Sequence, residues 1–310
     1  MKRKEINKDA VIVLGGNLDQ LPYIKELKKL GFYILLTDLN QDCPGKIYAD
    51  DFGNIGYEDV DKLLAFIDER DFKKDVKVFT ASAQFSYIGA SSIANHLGLE
   101  YPSLSTIEMC LDKTKFYKEF ESEHIPIPET HFVRTRKSLD EVLKKIDCGQ
   151  FFYLKSDFSK NPDYVYRFKA VDDREHVFWG SDRYLRDTYI LQPEFIGSHV
   201  RLNLFDGNFN LFDFKNNGLL DVELDICNIQ KLNVIEILDG FTRRYNLNSF
   251  LVKFDIVVSN DSWVVLDIGL DPPSRMKLYA DEHGIDFTKF YVNFLINRLI
   301  DPKDIGPLSF

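Results

Sequence analysis

The segment Ala10-Val-Ile-Val-Leu14 is continuously apolar and runs directly into Gly15-Gly16. An apolar run that ends in a glycine turn is the pattern of a buried strand in a parallel sheet. Apolar residues then recur with helical spacing from Leu18 to Leu30, and Gly31 follows in the position of a helix C-cap. A second apolar run, from Phe32 to Leu36, predicts the next strand of the same sheet.

The same alternation continues along the first third of the chain. Helical spacing returns between Val60 and Ile67 and again between Ile88 and Leu97, with a strand pattern from Val76 to Phe79 between them. Strands separated by helices of this length imply right-handed crossover connections. The sequence therefore predicts an N-terminal α/β domain built on a doubly wound parallel sheet.

The pattern changes beyond Leu99 to that of an α+β body with mostly antiparallel sheets. The segment from Tyr101 to Ile125 reads as helical, with Ser103 or Ser105 as its cap. The remaining predicted strands run from His131 to Val133, Phe151 to Lys155, Asp163 to Lys169, Tyr189 to Gln192, Val200 to Phe205, Phe209 to Phe214, Phe250 to Val258 and Trp263 to Ile268, with helices from Val234 to Tyr245 and Thr288 to Leu299.

Composition excludes several classes of protein. The 310 residues carry 39 basic and 49 acidic side chains, and this net charge of −10 argues against a nucleic-acid-binding surface. The 4 cysteines stand far apart, so neither a zinc framework nor a disulfide scaffold is predicted, as expected in a reducing compartment. No run approaches the roughly 18 apolar residues of a membrane span. We therefore expect a cytoplasmic protein with no membrane partner.

The turn Gly15-Gly16-Asn17 lies between a predicted strand and a helix, where glycines bare backbone N–H groups to an anion. Together with Asp38, it imitates a dinucleotide-binding fingerprint, which keeps a Rossmann-type NAD-dependent oxidoreductase open as an alternative. Gln20, however, stands where the fingerprint has its third glycine. A tight turn without any cofactor also needs the same glycines.

Two lysines are candidates for binding phosphate. Lys113 lies in the helical segment that precedes Ile125, and Lys155 ends the very apolar strand that begins at Phe151. A lysine that faces inward at the end of a buried strand needs an anion to offset its desolvation. Together, the two could hold the phosphates of a nucleotide, whereas each one alone is compatible with a solvated side chain above an apolar surface.

The segment Tyr189-Ile-Leu-Gln-Pro-Glu-Phe-Ile-Gly197 is an apolar strand that breaks into an extended linker. Its exposed backbone groups could grip an adenine edge, and the Glu194 carboxylate could bind ribose hydroxyls. An edge strand with a proline bulge is the alternative interpretation.

Asp255 and Asp267 each lie in an apolar strand, and the two strands are joined by the tight turn Ser259-Asn-Asp-Ser262. The carboxylates can therefore face each other across a hairpin. Two like charges opposed in an apolar setting repel unless a cation bridges them, and hard oxygen ligands favour Mg²⁺. The alternative is a pair of half-exposed aspartates without a metal.

The order of these elements resembles the ATP-grasp superfamily over nearly the whole chain. The residues that carry the resemblance are Val11 to Pro22, Leu35 to Asp38, Ala94 to Ser103, Leu111 to Lys115, Ile125 to Pro128, Phe152 to Lys155, Leu191 to Gly197, Phe254-Asp255 and Leu266-Asp267. The resemblance implies a pre-ATP-grasp domain at residues 1–108, a first ATP-grasp lobe at 109–188 and a second at 189–310.

The resemblance also implies a set of site residues. ATP phosphates would contact Lys113, Lys155 and, less securely aligned, Lys215. Gln192 to Ile196 would form the adenine hinge, with Glu194 on the ribose. Asp255 and Asp267 would bind Mg²⁺. Lys253 is similar to a cation that D-alanine–D-alanine ligases place over the acyl phosphate, and it or Arg275 would stabilise the tetrahedral oxyanion.

The chain departs from the family pattern at three places. Gly269 stands where the family has an asparagine, and the flap from Ser156 to Asp163 lacks glycine. Asp271 and Arg275 flank Pro272-Pro273, which would hold the two side chains apart. This pair is expected to bind a zwitterionic, amino-acid-like substrate, unless the segment is only a solvated loop.

The resemblance implies an ATP-dependent, ADP-forming carboxylate–amine ligase that works through an acyl phosphate. Its partners would be small-molecule carboxylates and amines, without nucleic acid, and a homodimer is compatible with the sequence. A nucleotide-binding protein without catalysis is a second alternative, favoured by Gly269 and the glycine-free flap.

Overall fold

The computed structural model describes residues 3–81, 85–145, 149–156, 165–169, 188–213 and 229–297. The elements of its N-terminal part are β1 (Lys4–Ile6), β2 (Ala10–Leu14), α1 (Leu21–Lys29), β3 (Tyr33–Thr37), a 3-10 helix (Pro44–Tyr48), β4 (Asp51–Gly53), α2 (Val60–Asp68), β5 (Arg70–Phe72), β6 (Val76–Phe79) and α3 (Ser86–His96). They form an α/β domain with a parallel sheet in the order β4-β3-β2-β6. A separate parallel pair joins β1 to β5.

The predicted doubly wound sheet is confirmed, because apolar side chains project from both faces of β2 and pack against helices on each side. Ile12 packs with α2 and α3 on one face, whereas Val11 packs with α1 on the other. Two details differ from expectation. Helix α1 begins at Leu21, and Leu18 is exposed in the preceding turn; the short strands β1, β4 and β5 carry no long apolar run and were not predicted.

The segment from Tyr101 to Ile125 forms two helices, α4 (Leu104–Leu111) and α5 (Lys113–Ser122), rather than one. Asp112 separates them in an extended conformation, and its carboxylate accepts hydrogen bonds from the N–H groups at the start of α5. Ser103 caps α4, which decides between the two predicted caps. The break places Lys113 at the N-terminal end of α5.

The rest of the chain is the predicted α+β body. Its elements are β7 (His131–Val133), α6 (Arg136–Leu143), β8 (Phe151–Ser156), β9 (Val165–Lys169), β10 (Tyr189–Pro193), β11 (Ser198–Phe205), β12 (Asn208–Asp213), α7 (Val234–Arg244), β13 (Val252–Val258), β14 (Trp263–Gly269), α8 (Ser274–Glu282) and α9 (Phe287–Asn297). One antiparallel sheet has the order β7-β10-β8-β9, and a second has the order β12-β11-β13-β14.

Aromatic packing joins these parts. Phe120 on α5 lies 4.6 Å, ring to ring, from Phe241 on α7 and 6.4 Å from Phe254 on β13. The last helix, α9, returns to the N-terminal domain, where Tyr291 packs 5.4 Å from Tyr23 of α1. Helix α5 is thus fixed beside the second antiparallel sheet, and α9 closes one face of the parallel sheet. None of the helices in the described ranges is long and apolar enough to cross a membrane.

Candidate active site

The second antiparallel sheet carries a row of charged residues across three strands. Arg201 of β11 is in register with Asp255 of β13, which is in register with Asp267 of β14. The predicted juxtaposition of the two aspartates is therefore confirmed. Side chains two residues apart along a strand share a face, so the neighbouring row on this face consists of Asn203 and Lys253 with Gly269 opposite.

Asp255 is held by a bidentate ion pair. Arg201 Nε lies 2.7 Å from Asp255 Oδ1, and Arg201 Nη2 lies 2.9 Å from Oδ2. Burial lowers the pKa of Arg201, but the hydrogen bonds to Asp255 together with the negative charges of Asp255, Asp271 and Asp267 outweigh that effect, and its pKa lies above the usual value. The pair is mostly shielded from water, since the side chains are only 16% and 24% exposed. Both carboxylate oxygens of Asp255 are thus already in use.

Asp267 is paired with Lys113. The ammonium of Lys113 lies 2.7 Å from Asp267 Oδ1, which also accepts a hydrogen bond from the Ile268 N–H. No described residue donates to the other oxygen, and the side chain is 43% exposed. Asp267 therefore keeps one oxygen that can reach a ligand.

Lys155 lies within electrostatic reach of this cluster and has no ion-pair partner among the described residues. Burial, together with the positive charge of Lys113, lowers the pKa of Lys155 from 10.5 to about 8, although Asp267 and Asp255 act in the opposite direction. The structure therefore brings together the two lysines and two aspartates that the sequence singled out. A buried ammonium without a carboxylate partner is suited to bind an anion.

Lys253 forms an ion pair with Asp271, with 2.7 Å between Nζ and Oδ2. A Cβ atom added at Gly269 would lie 2.7 Å from Lys253 Cε and 3.3 Å from Asp271 Oδ1. The lysine side chain therefore passes through the space that any other residue at 269 would fill. Asp271, expected to meet a substrate ammonium, instead holds an ammonium of the protein. Arg275 lies in the first turn of α8, and its side chain is outside the described part of the structure.

The predicted Mg²⁺ can be tested against these donors. Among the described residues, no cluster of three or more histidine, cysteine or acidic side chains could hold a metal ion. Arg201 occupies both oxygens of Asp255, and Lys113 occupies one oxygen of Asp267. The cations that relieve repulsion between the aspartates are thus side chains of the protein. As arranged here, these donors do not fit a Mg²⁺ that bridges Asp255 and Asp267, and the metal site stays a prediction from the sequence.

A cavity of about 930 Å³ lies beside this cluster, between the N-terminal domain and the segment Asp271–Pro273. Its wall includes Gly15 and Asp38, the residues of the apparent dinucleotide fingerprint. Asp38 accepts hydrogen bonds from the Gly16 N–H at 2.6 Å and from the Asn40 N–H at 2.7 Å. Both of its oxygens hold the turn, which accounts for the fingerprint-like spacing without a ribose.

No protein-family model and no curated protein sequence matches the chain. Solved structures do. N5-carboxyaminoimidazole ribonucleotide synthetase from Thermotoga maritima has a TM-score of 0.69 and 16% identity, and the match covers 95% of this chain and 77% of that chain. L-amino acid ligase from Bacillus licheniformis has a TM-score of 0.64 and 16% identity, and the match covers 96% of this chain and 75% of that chain. The biotin carboxylase domain of Hydrogenobacter thermophilus 2-oxoglutarate carboxylase, in complex with MgADP, has a TM-score of 0.66 and 13% identity, over 96% and 72%.

The chain has the ATP-grasp fold. These matches agree with the architecture predicted from the sequence, a doubly wound parallel domain followed by an α+β body. At such low identity, the likeness concerns the fold alone. The roles of individual residues depend on the contacts in this chain.

Side chains of the adenine hinge that the ATP-grasp resemblance implied already form hydrogen bonds within the protein. The buried Gln192 side chain donates from Nε2 to Thr130 Oγ1 at 2.9 Å. Glu194 accepts two hydrogen bonds from Arg167, at 2.8 and 2.9 Å, and one from Tyr153 at 3.1 Å. The Arg167 guanidinium holds the pKa of Glu194 below its usual value. The predicted ribose contact therefore competes with an existing ion pair.

Two other ATP-grasp expectations have different outcomes. Ile196 is 84% exposed just beyond β10 and is thus open to a ligand. Lys215 lies outside the described residues, as do residues 157–163 of the glycine-free flap that begins at Ser156.

Sequence reasoning missed three residues of the site region. Arg201 contacts Asp255, and Arg167 contacts Glu194. Tyr117 contacts the carbonyl of Leu266, the neighbour of Asp267. The Tyr117 hydroxyl lies 2.6 Å from that carbonyl and 3.3 Å from Gln192 Oε1. The signal for Arg201 was available, because His199, Arg201 and Asn203 alternate with the apolar Val200, Leu202 and Leu204 and therefore share one face of the strand.

Gln20 has a structural reason to replace the third glycine of the fingerprint. Its buried side chain donates from Nε2 to the Leu14 carbonyl at 2.8 Å and accepts at Oε1 from the Ala81 N–H at 2.9 Å. It therefore ties the end of β2 to the chain just beyond β6. A glycine could make neither hydrogen bond.

Proposed function

We propose that this protein is an ATP-dependent, ADP-forming carboxylate–amine ligase. One observation carries the proposal: Lys155, whose pKa is lowered to about 8, has no acidic partner among the described residues and lies in the field of Lys113, Asp255 and Asp267. Such a site has lysines to meet phosphate charge and one carboxylate oxygen that is accessible. The proposal is supported by solved structures with this fold, which include a synthetase, an amino acid ligase and a carboxylase domain in complex with MgADP.

Phosphoryl transfer needs positioning and charge neutralisation more than covalent help from the protein. In the proposed reaction, a substrate carboxylate oxygen bonds to the γ-phosphorus of ATP while the bond between that phosphorus and ADP breaks. Lys113 and Lys155 hold the phosphates, and the Gln192 to Ile196 backbone holds the adenine. The amine nitrogen then attacks the acyl carbon, phosphate leaves with the bonding electron pair, and the amine proton passes to solvent. Lys253 or Arg275 stabilises the oxyanion.

The amine is proposed to enter the cavity beside the site. Asp271 belongs to the cavity wall and is ion-paired with Lys253, so the cavity meets the charged rows at that contact. Five carboxylates but only two lysines line the cavity. Lys62 is paired with Asp59, whereas Asp19 and Glu58 have no ion-pair partner among the described residues. This surplus of negative charge favours an ammonium-bearing substrate over a phosphorylated one.

A product-based screen tests the proposal. The full chain is incubated with ATP, Mg²⁺ and pairs of small carboxylates and amines, release of ADP and phosphate is measured, and mass spectrometry identifies the amide. We expect ADP formation that requires both substrates and is abolished in Lys155→Met. Lys137→Met, which alters an exposed lysine on α6, is the matched control and should retain activity. ATP binding without turnover for any pair would contradict the proposal.

A nucleotide-binding protein without catalysis is the second candidate. It is favoured by the ion pairs that already occupy Asp255 and by the absence of a side chain at Gly269. The NAD-dependent oxidoreductase has less support, because Asp38 and Gln20 both hold the turn between β2 and α1. A rise in melting temperature with NAD but not with ATP would favour it.

A further inference from the structure

We infer that Arg201 and Lys253 take the place of divalent cations in this site, so that nucleotide binding does not depend on a metal ion bridging Asp255 and Asp267. The inference rests on the proposed nucleotide site but concerns how its charge is balanced. It follows from the misfit between the donor set and a bridging Mg²⁺.

The acidic and basic side chains of the cluster are arranged in pairs. Asp255 is paired with Arg201, Asp267 with Lys113 and Asp271 with Lys253. Each carboxylate therefore has its own organic cation. Lys155 adds a further positive charge below a pH of about 8. The described part of the cluster is cationic without any metal, and it can meet nucleotide phosphates directly.

The Asp255 carboxylate is held in a fixed geometry. A bidentate guanidinium–carboxylate pair uses both oxygens in a fixed orientation, and arginine stays protonated at all ordinary pH values. Arg201 is 16% exposed and comes from the adjacent strand in register, so the two backbones hold the pair in place. A metal that bound Asp255 would have to displace the guanidinium and leave this largely buried charge without its partner, which is costly.

The row that contains Gly269 carries a positive charge. Position 269 follows Asp267 on the same face of β14, so a side chain there could offer a second oxygen ligand. Lys253 fills the space that such a side chain would need, because its Cε would lie 2.7 Å from a Cβ atom at position 269. The lysine reaches across the glycine to Asp271. A positive charge therefore stands where a second metal ligand would have to project.

The test is a Mn²⁺ titration of the nucleotide-free full chain, followed by electron paramagnetic resonance, because Mn²⁺ prefers the same oxygen ligands as Mg²⁺. We expect wild-type protein to bind Mn²⁺ at least about tenfold more weakly than Arg201→Gln, in which Asp255 is freed. Arg243→Gln, which breaks an exposed arginine–aspartate pair on α7, is the matched control and should behave like wild type. Tight Mn²⁺ binding by wild type that Asp255→Asn abolishes would overturn the inference.

A second variant guards against misfolding of Arg201→Gln. Lys253→Met, paired with Gly269→Asn, removes the other cation and supplies an amide oxygen, and it should also gain Mn²⁺ affinity. ADP binding, measured by calorimetry with EDTA or with Mg²⁺, separates this inference from the proposed function. Comparable wild-type affinities in both conditions support the inference, and a loss greater than about a hundredfold in EDTA would overturn it. Failure of ADP to bind in either condition contradicts the proposed function, while the Mn²⁺ titration still decides the inference.

Discussion

Lys253 and Asp271 form an ion pair across the end of the β13–β14 hairpin, with 2.7 Å between Nζ and Oδ2. The pair depends on Gly269, which lies directly opposite Lys253 in the ladder and leaves room for its side chain. It also joins the charged rows of the sheet to the wall of the cavity, because Lys253 belongs to one of these rows and Asp271 belongs to the wall. The departure from the ATP-grasp pattern at Gly269 thus has a definite physical consequence.

Gly269→Ala should destabilise the protein by about 1–3 kcal/mol, because its Cβ would overlap Lys253 Cε in a packed site. Chemical denaturation measures the change. Gly240→Ala is the matched control: Gly240 is exposed on α7 with no atom near its added Cβ, and this change should stabilise by about 0.5–1 kcal/mol. If the clash is the cause, Gly269→Ala should cost clearly less in a Lys253→Ala background. Equal costs in both backgrounds would contradict this explanation.

Lys155→Met should keep the fold and lose the stabilisation that ADP provides. At about one hundred times the dissociation constant, a ligand stabilises the native state by roughly 2.7 kcal/mol, which is readily measured as a shift in melting temperature. The physical reason is the loss of a buried ammonium without an acidic partner among the described residues. Lys137→Met should keep the full shift. An unchanged shift in Lys155→Met would remove Lys155 from the nucleotide site.

The lowered pKa of Lys155 predicts proton uptake on nucleotide binding. Near pH 8 this lysine is partly deprotonated in the free protein, and bound phosphates favour its charged form. Calorimetry of ADP binding in two buffers with different ionisation enthalpies should therefore show uptake near pH 8, much less at pH 6, and none from this group in Lys155→Met. Identical heats in the two buffers at pH 8 would contradict it.

The lowered pKa of Lys155 also makes its contribution to the free energy of unfolding depend on pH. The folded-state pKa of about 8 lies below the ordinary value of 10.5, so the unfolded chain binds more protons between these two values. The contribution of Lys155 to the free energy of unfolding should therefore rise with pH across that window. Comparison of wild type with Lys155→Met in urea at pH 7.5 and pH 9.5 isolates this contribution.

The acidic cavity predicts which substrates are selected. Glu58→Gln and Asp19→Asn should each raise the KM for an ammonium-bearing substrate by about tenfold while leaving the KM for ATP unchanged, because both carboxylates line the cavity without a described cationic partner. Steady-state kinetics with the substrates found by the screen measures this effect. Glu121→Gln, an exposed change on α5, serves as the control. Unchanged KM values in both cavity variants would exclude these carboxylates from substrate binding.

The elements whose signals are local could be predicted from the amino-acid pattern alone. The apolar run at Ala10–Leu14, its glycine turn and the following helical spacing specify a buried parallel strand and its crossover. The opposition of Asp255 and Asp267 follows equally from one tight turn, since Ser259 and Ser262 close the hairpin through a backbone hydrogen bond of 2.8 Å. Side-chain period and turn chemistry act over a few residues, so they can be read without the fold.

The pairing of opposite charges, in contrast, is set by how distant parts of the chain pack together. Arg201 meets Asp255 because β11 lies beside β13, and Arg167 on β9 meets Glu194, just beyond β10, although β8 lies between these two strands. An ion pair depends on a few ångströms of separation and on the water excluded around it, and both are set by strands that are distant in sequence. The aspartates could therefore be predicted to face each other from the sequence. That a guanidinium and an ammonium lie against them follows from the packing of the sheet.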